Sequence, residues 1–87
     1  MEIITPYHTI ERAKERGTNE LEIKDVIETG FSISAKYGRN GKAKIYPYKK
    51  MRLKRYYEQK RVEVFYTIEE NIIITVTVYV FYGKWEV

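Results

Sequence analysis

Apolar positions change their spacing partway along this chain. Up to Gly30 they recur at helical intervals, and beyond it they alternate with polar residues. Thr5-Pro6 predicts the start of a first helix. Thr5 offers an oxygen to an early backbone N–H, and Pro6 fits the first helical position, where its missing donor is not needed. This helix reaches about Arg16 with Ile10 and Ala13 toward the core, and Gly17 supplies a left-handed ending. Asn19 predicts the cap of a second helix from about Glu20 to Thr29, with acidic Glu22 three residues on in a variant of the capping box. Ile23, Val26 and Ile27 form its apolar stripe, and Gly30 stops it.

The remainder predicts strands. Phe31, Ile33, Ala35 and Tyr37 alternate with Ser32, Ser34 and Lys36, the period of a half-buried strand. Gly38 to Gly41 has the composition of a turn. Lys42 to Tyr48 predicts a strand that Pro47 confines to an edge. Residues 49–60 alternate only weakly and predict a ragged strand or a loop. Arg61 to Ile68 predicts a clear strand with Val62, Val64, Tyr66 and Ile68 on one side, and Glu69 to Asn71 a tight turn. Ile72 to Tyr82 is apolar on both faces, as a central strand is. Its even positions, Ile72 through Val80, are the drier set and are expected under the helices. Its odd positions, including Thr75, Thr77 and Tyr79, are expected on the open side. Two helices followed by strands predict an α+β domain, with both helices on one face of a roughly four-stranded antiparallel sheet.

Length sharpens this picture. The chain has 87 residues, which predicts one domain spanning 1–87, because two cores would each be too small. It has no Cys and one His, which excludes disulfides, thiolate metal sites, Cys nucleophiles and His-rich zinc sites. No cofactor or metal is expected. No signal-like or membrane-spanning apolar run is present, so the expectation is a soluble, cytoplasmic protein without a membrane partner.

Charge changes the picture further. The net charge of +4 conceals a sharp asymmetry. Residues 1–35 carry net −3, residues 36–61 carry net +10, and residues 62–87 carry net −3. A basic block between acidic ends predicts a polyanion partner, most commonly nucleic acid. The candidate contacts are Arg39, Lys42, Lys44, Lys49, Lys50, Arg52, Lys54, Arg55, Lys60 and Arg61, with Arg16 from the first helix. Five of the nine tyrosines lie among them, and aromatic rings offer stacking platforms for unpaired bases. The plainer explanation is an edge hairpin guarded by lysines, with tyrosine serving as an ordinary strand residue.

Candidate chemistry begins with His8, Arg12 and Arg16, whose spacing of four places them in one helical stripe. Histidine carries protons near neutral pH, and guanidinium grips phosphate. The plainer explanation is a solvated face whose arginines pair with Glu11 and Glu15. Thr75, Thr77 and Tyr79 set hydroxyls on the last strand, where Lys84 and Trp85 could close a site edge. There is no Gly-rich phosphate loop, no His-Glu-x-x-His and no nucleophile elbow.

The run His8-x-x-x-Arg12-x-x-x-Arg16-Gly17, the Asn-capped helix closed by Gly30, and Ile74-x-x-Thr77-Val78-Tyr79 after Val62-Glu63-Val64 together resemble the DUF-4258 family of small prokaryotic domains. The tail Tyr82-Gly83-Lys84-Trp85 resembles a subset of its members. Thr18 departs from the apolar residue usual after the Gly, and residues 42–61 fall in a variable region. That family is similar in fold to RelE-type toxins and colicin nuclease domains, which are metal-independent ribonucleases. The resemblance implies a RelE/barnase-like fold with an active open sheet face. It implies His8 and Arg12 as catalytic residues of the helix, and Thr77 with Tyr79 as catalytic residues of the strand. RNA and an acidic antitoxin are the partners it implies. Two other readings stand beside it: a non-catalytic nucleic-acid-binding module, and a domain whose basic block docks an acidic protein.

Overall fold

The computed structural model describes residues 1–85. Helix α1 spans Tyr7–Arg16 and α2 spans Glu20–Thr29. Thr5 does not cap α1. Pro6 occupies the cap position without a side-chain bond, and the Thr5 hydroxyl instead donates to Thr75 Oγ1 at 3.2 Å. Gly17 adopts φ 101°, so Gly17 N–H reaches Lys14 O and Thr18 N–H reaches Ala13 O. This paired closure satisfies the carbonyls that a helix end leaves open. Asn19 Oδ1 accepts from Glu22 N–H at 2.9 Å, as an N-cap does. The return half of the capping box does not form. Glu22 is engaged by the Thr18 hydroxyl and by Lys60 Nζ, each at 2.7 Å. Thr18 is buried, and its hydroxyl has a carboxylate partner there. Gly30 ends α2 at an ordinary φ of −76°. Its requirement is space, since a Cβ there would lie 2.5 Å from the carbonyl oxygens of Ala43 and Val26.

Five strands, β1 (Glu2–Ile4), β2 (Phe31–Ile33), β3 (Asn40–Arg52), β4 (Arg55–Glu69) and β5 (Ile72–Gly83), form one sheet in the order β1-β5-β4-β3-β2. The fold is α+β, and the sheet is mixed rather than four-stranded and antiparallel. Its extra strand, β1, precedes both helices and pairs parallel with β5 from Glu2↔Ile72 to Ile4↔Ile74. Three residues are too few to show a period, so the strand is invisible as a pattern. Strand β2 ends at Ile33, short of Ala35 and Tyr37, because Tyr37 and Gly38 both take positive φ in a turn. Strands β3 and β4 continue through the weakly patterned residues 49–60 as one long hairpin. It turns at Leu53 and Lys54, both with positive φ, which matches the right-handed strand twist. Pro47 lies where β3 has passed the end of its pairing with β2, so its missing donor removes no ladder bond on that side.

The face assignment of β5 changes midway. Phe65 pairs with Thr77 but Tyr66 pairs with Thr75, leaving Val76 as an extra residue. This bulge reverses the alternation. Before it, odd-numbered Ile73 and Thr75 are buried. After it, even-numbered Val78 is buried and Val80 packs against the core. Thr75 therefore sits beneath the helices and not on the open side, whereas Thr77 and Tyr79 face away from the core. The core joins Ala13 of α1 and Ile23, Val26 and Ile27 of α2 to Val62, Val64, Tyr66, Ile73 and Val78 of the sheet. No helix among the described residues is long and apolar enough to cross a membrane.

Candidate active site

Strand β1 pairs with β5 only as far as Ile74, so the outer edge of β5 beyond it is available to α1. The helix packs there, and its stripe His8, Arg12 and Arg16 borders a groove of about 310 Å³ whose other wall is Val76 to Tyr79. Thus His8, Arg12, Thr77 and Tyr79 share one concave surface, joined by Arg16. His8 and Arg12 are exposed on its rim. Arg16 is half-buried and fixed, since one guanidinium nitrogen donates to Val78 O at 2.6 Å and the group lies 5.3 Å from the centre of the Tyr79 ring. The arginines form no ion pair with Glu11 or Glu15 among the described residues. Thr9 also lines this groove, and its buried hydroxyl has no hydrogen-bond partner. Thr9 carried no signal in the sequence, being an ordinary residue between two that did.

The basic block divides. Lys44 Nζ binds Asp25 Oδ2 and Lys60 Nζ binds Glu22 Oε1, both at 2.7 Å, so these two lysines hold β3 and β4 to α2. Lys60 also donates to Gly17 O. Arg52 donates to Glu15 O at 3.0 Å and lies over the Tyr82 ring, tying the hairpin to the end of α1. Arg61 pairs with Glu63 at 2.9 Å on the open face, over Phe31. Lys50 rests over Tyr48 and Arg39 over Tyr37. Lys42, Lys49, Lys54 and Arg55 form no ion pair among the described residues. Of the eleven cations, only Arg16 is among the described residues that line the groove with His8.

The anchor between α2 and β3 perturbs both of its titratable partners. Asp25 receives Lys44 Nζ at 2.7 Å and the Tyr46 hydroxyl at 2.6 Å. The hydrogen bond from Lys44, followed by that from Tyr46, holds its carboxyl down at about 2. Burial, with the Asp25 bond, pushes the Tyr46 phenol upward. Burial likewise raises the Tyr82 phenol, whose hydroxyl donates to Arg16 O at 2.6 Å.

A surface depression of about 550 Å³ lies elsewhere, between Gly30, Phe31, Lys44, Ile45, Pro47 and Gln59. Lys84 lines this depression, and Trp85 packs over Gly83 while its backbone N–H donates to Gln59 Oε1. Neither closes an edge of the His8 groove. The depression brings no histidine or arginine together, so size does not select it as the reactive centre. A third cavity, of about 260 Å³, shares Thr77 and Tyr79 with the His8 groove and continues over the open face to the loop at residues 34–39. The chain matches no family model, no curated protein and no solved structure.

Proposed function

We propose that this protein is a metal-independent endoribonuclease of the RelE-like toxin type, related to the DUF-4258 domains and acting in the cytoplasm. The observation that supports this reading is the groove that gathers His8, Arg12, Arg16, Thr77 and Tyr79. In the reaction, neutral His8 takes the proton of a ribose 2′-hydroxyl as its oxygen attacks the adjacent phosphorus. The bond from phosphorus to the 5′-oxygen breaks, and that oxygen takes a proton from the Tyr79 phenol. The phenol then recovers its proton by way of His8 and solvent. The products are a 2′,3′-cyclic phosphate and a 5′-hydroxyl. Arg12 and Arg16 balance the negative charge that grows on the phosphorane, and the bond from Arg16 to Val78 fixes its guanidinium in advance. Thr77 donates a hydroxyl to a non-bridging oxygen.

The test uses end-labelled mixed-sequence RNA in excess EDTA. Cyclic-phosphate ends are expected from the wild type, with at least a hundredfold loss of rate in His8→Ala. Equal cleavage by both proteins would remove His8 from the chemistry. A second reading, a non-catalytic module that binds RNA or an acidic antitoxin, is favoured by the β3–β4 hairpin cations that form no ion pair among the described residues. It expects salt-sensitive binding that ignores His8→Ala and produces no cleaved ends.

A further inference from the structure

The cavity beyond the His8 groove has its own chemistry. Phe65 and Tyr79 form part of its wall, with ring centres 6.0 Å apart and planes at 74°. The loop after β2 supplies the rest, including Ser34, Lys36, Tyr37 and Arg39. No carboxylate lines it. Its volume of about 260 Å³ suits one planar heterocycle and a few waters. The features needed to hold an unpaired base are an aromatic surface for its face and donors for its edge. Both are present. Thr77 and Tyr79 belong to the groove and the cavity alike, so a chain whose phosphate lies beside Arg12 and Arg16 has its neighbouring base at the cavity mouth.

We infer that this cavity is a nucleobase subsite, and that the polymer bound across the open face is single-stranded RNA. The inference rests on the ribonuclease reading for the identity of the polymer, and it adds where the flanking base goes. A base stacked and paired in a duplex presents only its edges and cannot enter the cavity. Selection of single strands therefore follows from the geometry of binding and not from the cleavage step.

The experiment measures anisotropy of a labelled 2′-O-methyl RNA octamer of mixed sequence, which cannot be cleaved by 2′-oxygen attack. The same octamer annealed to its complement is the comparison. The wild type is expected to bind the single strand at least tenfold more tightly than the duplex. Phe65→Leu, which keeps apolar bulk but removes the ring, is expected to weaken single-strand binding about tenfold. Phe65→Tyr restores it. Thermal melting checks that each variant is folded. Should Phe65→Leu fail to fold, Arg39→Ala on the exposed loop takes its place, with a several-fold loss expected. Equal affinity for strand and duplex, an unaffected ring-deleted or Arg39 variant, or no binding at all would overturn the subsite. RNA cleavage in EDTA alongside any of those results leaves the ribonuclease standing and removes only the subsite. Single-strand binding that depends on Phe65, without cleavage, does the reverse.

Discussion

At the scale of single residues, Asp25 decides how much of the basic block is free to meet a partner. It accepts from Lys44, Tyr46 and Thr29 at once, so one carboxylate on α2 removes one cation and one tyrosine of β3 from the surface inventory. The carboxyl titrates near 2 in the folded protein and near ~3.9 in an unfolded chain. A depressed carboxylate stabilises the fold fully above its unfolded value, and that contribution fades as pH falls toward the folded value. Asp25→Asn is therefore expected to lower the melting temperature at pH 7. The gap from the wild type should narrow below about pH 4 and close only as pH falls below about 2. Melting curves by circular dichroism across that range check this. A gap that stays constant to pH 2 would mean that the ionised carboxylate is not what secures β3. Lys44 and Lys60 illustrate why such positions are misread in a sequence. Both sit in a basic run, yet their partners are 19 and 38 residues away, and only the packing of α2 on the sheet brings them together.

At the scale of elements, Gly17 joins the end of α1 to the end of β5. Its φ of 101° favours glycine, and a Cβ would lie 1.9 Å from the Tyr82 hydroxyl oxygen. Gly17→Ala is expected to cost about 1 kcal/mol for the backbone conformation alone, with a further cost for the clash. Tyr82→Phe loses the bond to Arg16 O, about 1 kcal/mol. Because the clash is with the hydroxyl that Phe lacks, the double variant should be more stable than the sum of the singles by more than about 0.5 kcal/mol. Urea denaturation of the four proteins measures that coupling, and strict additivity would show that Tyr82 swings clear without resistance. The end of α1 and the start of α2 were legible in the sequence because Gly17 and Asn19 act through local backbone bonds. The fold class and the buried stripe of α2 were legible for the same reason, since periodicity is local. The Leu53–Lys54 turn was not legible, because neither residue belongs to the types that favour positive φ at both positions. The Val76 bulge was not legible either. Nothing in Ile72 to Tyr82 marks where the alternation reverses, so Thr75 was misassigned while Thr77 and Tyr79, beyond the reversal, were not. The meeting of the His8 stripe with Thr77 and Tyr79 depends on α1 lying along the edge that β1 leaves uncovered, a tertiary fact with no local signature.

At the scale of the whole molecule, charge and shape separate two tasks. The extents are 43 × 28 × 21 Å, and the β3–β4 hairpin, which extends past the last β4–β5 pair at Gln59↔Gly83, carries Lys49, Lys50, Lys54 and Arg55 away from the groove. Cations already paired inside the fold release no counterions on binding, so Lys44, Lys60 and Arg61 should add little to the salt dependence of RNA binding. The four hairpin cations should dominate it. Changing all four to Ala is expected to reduce the slope of log affinity against log salt by up to about 3, at ~0.7 per phosphate contact on a single strand. The same variant should cleave a dinucleotide at the wild-type rate, because so short a substrate fills the groove without reaching the hairpin. Titrations of a long single-stranded RNA at several salt concentrations, beside dinucleotide kinetics, read the two effects separately. An unchanged slope would take the hairpin off the path of the RNA. Its exposed Leu53, 90% accessible among these cations, would then favour an acidic protein with an apolar pocket as the hairpin's partner, leaving the groove to act on RNA alone.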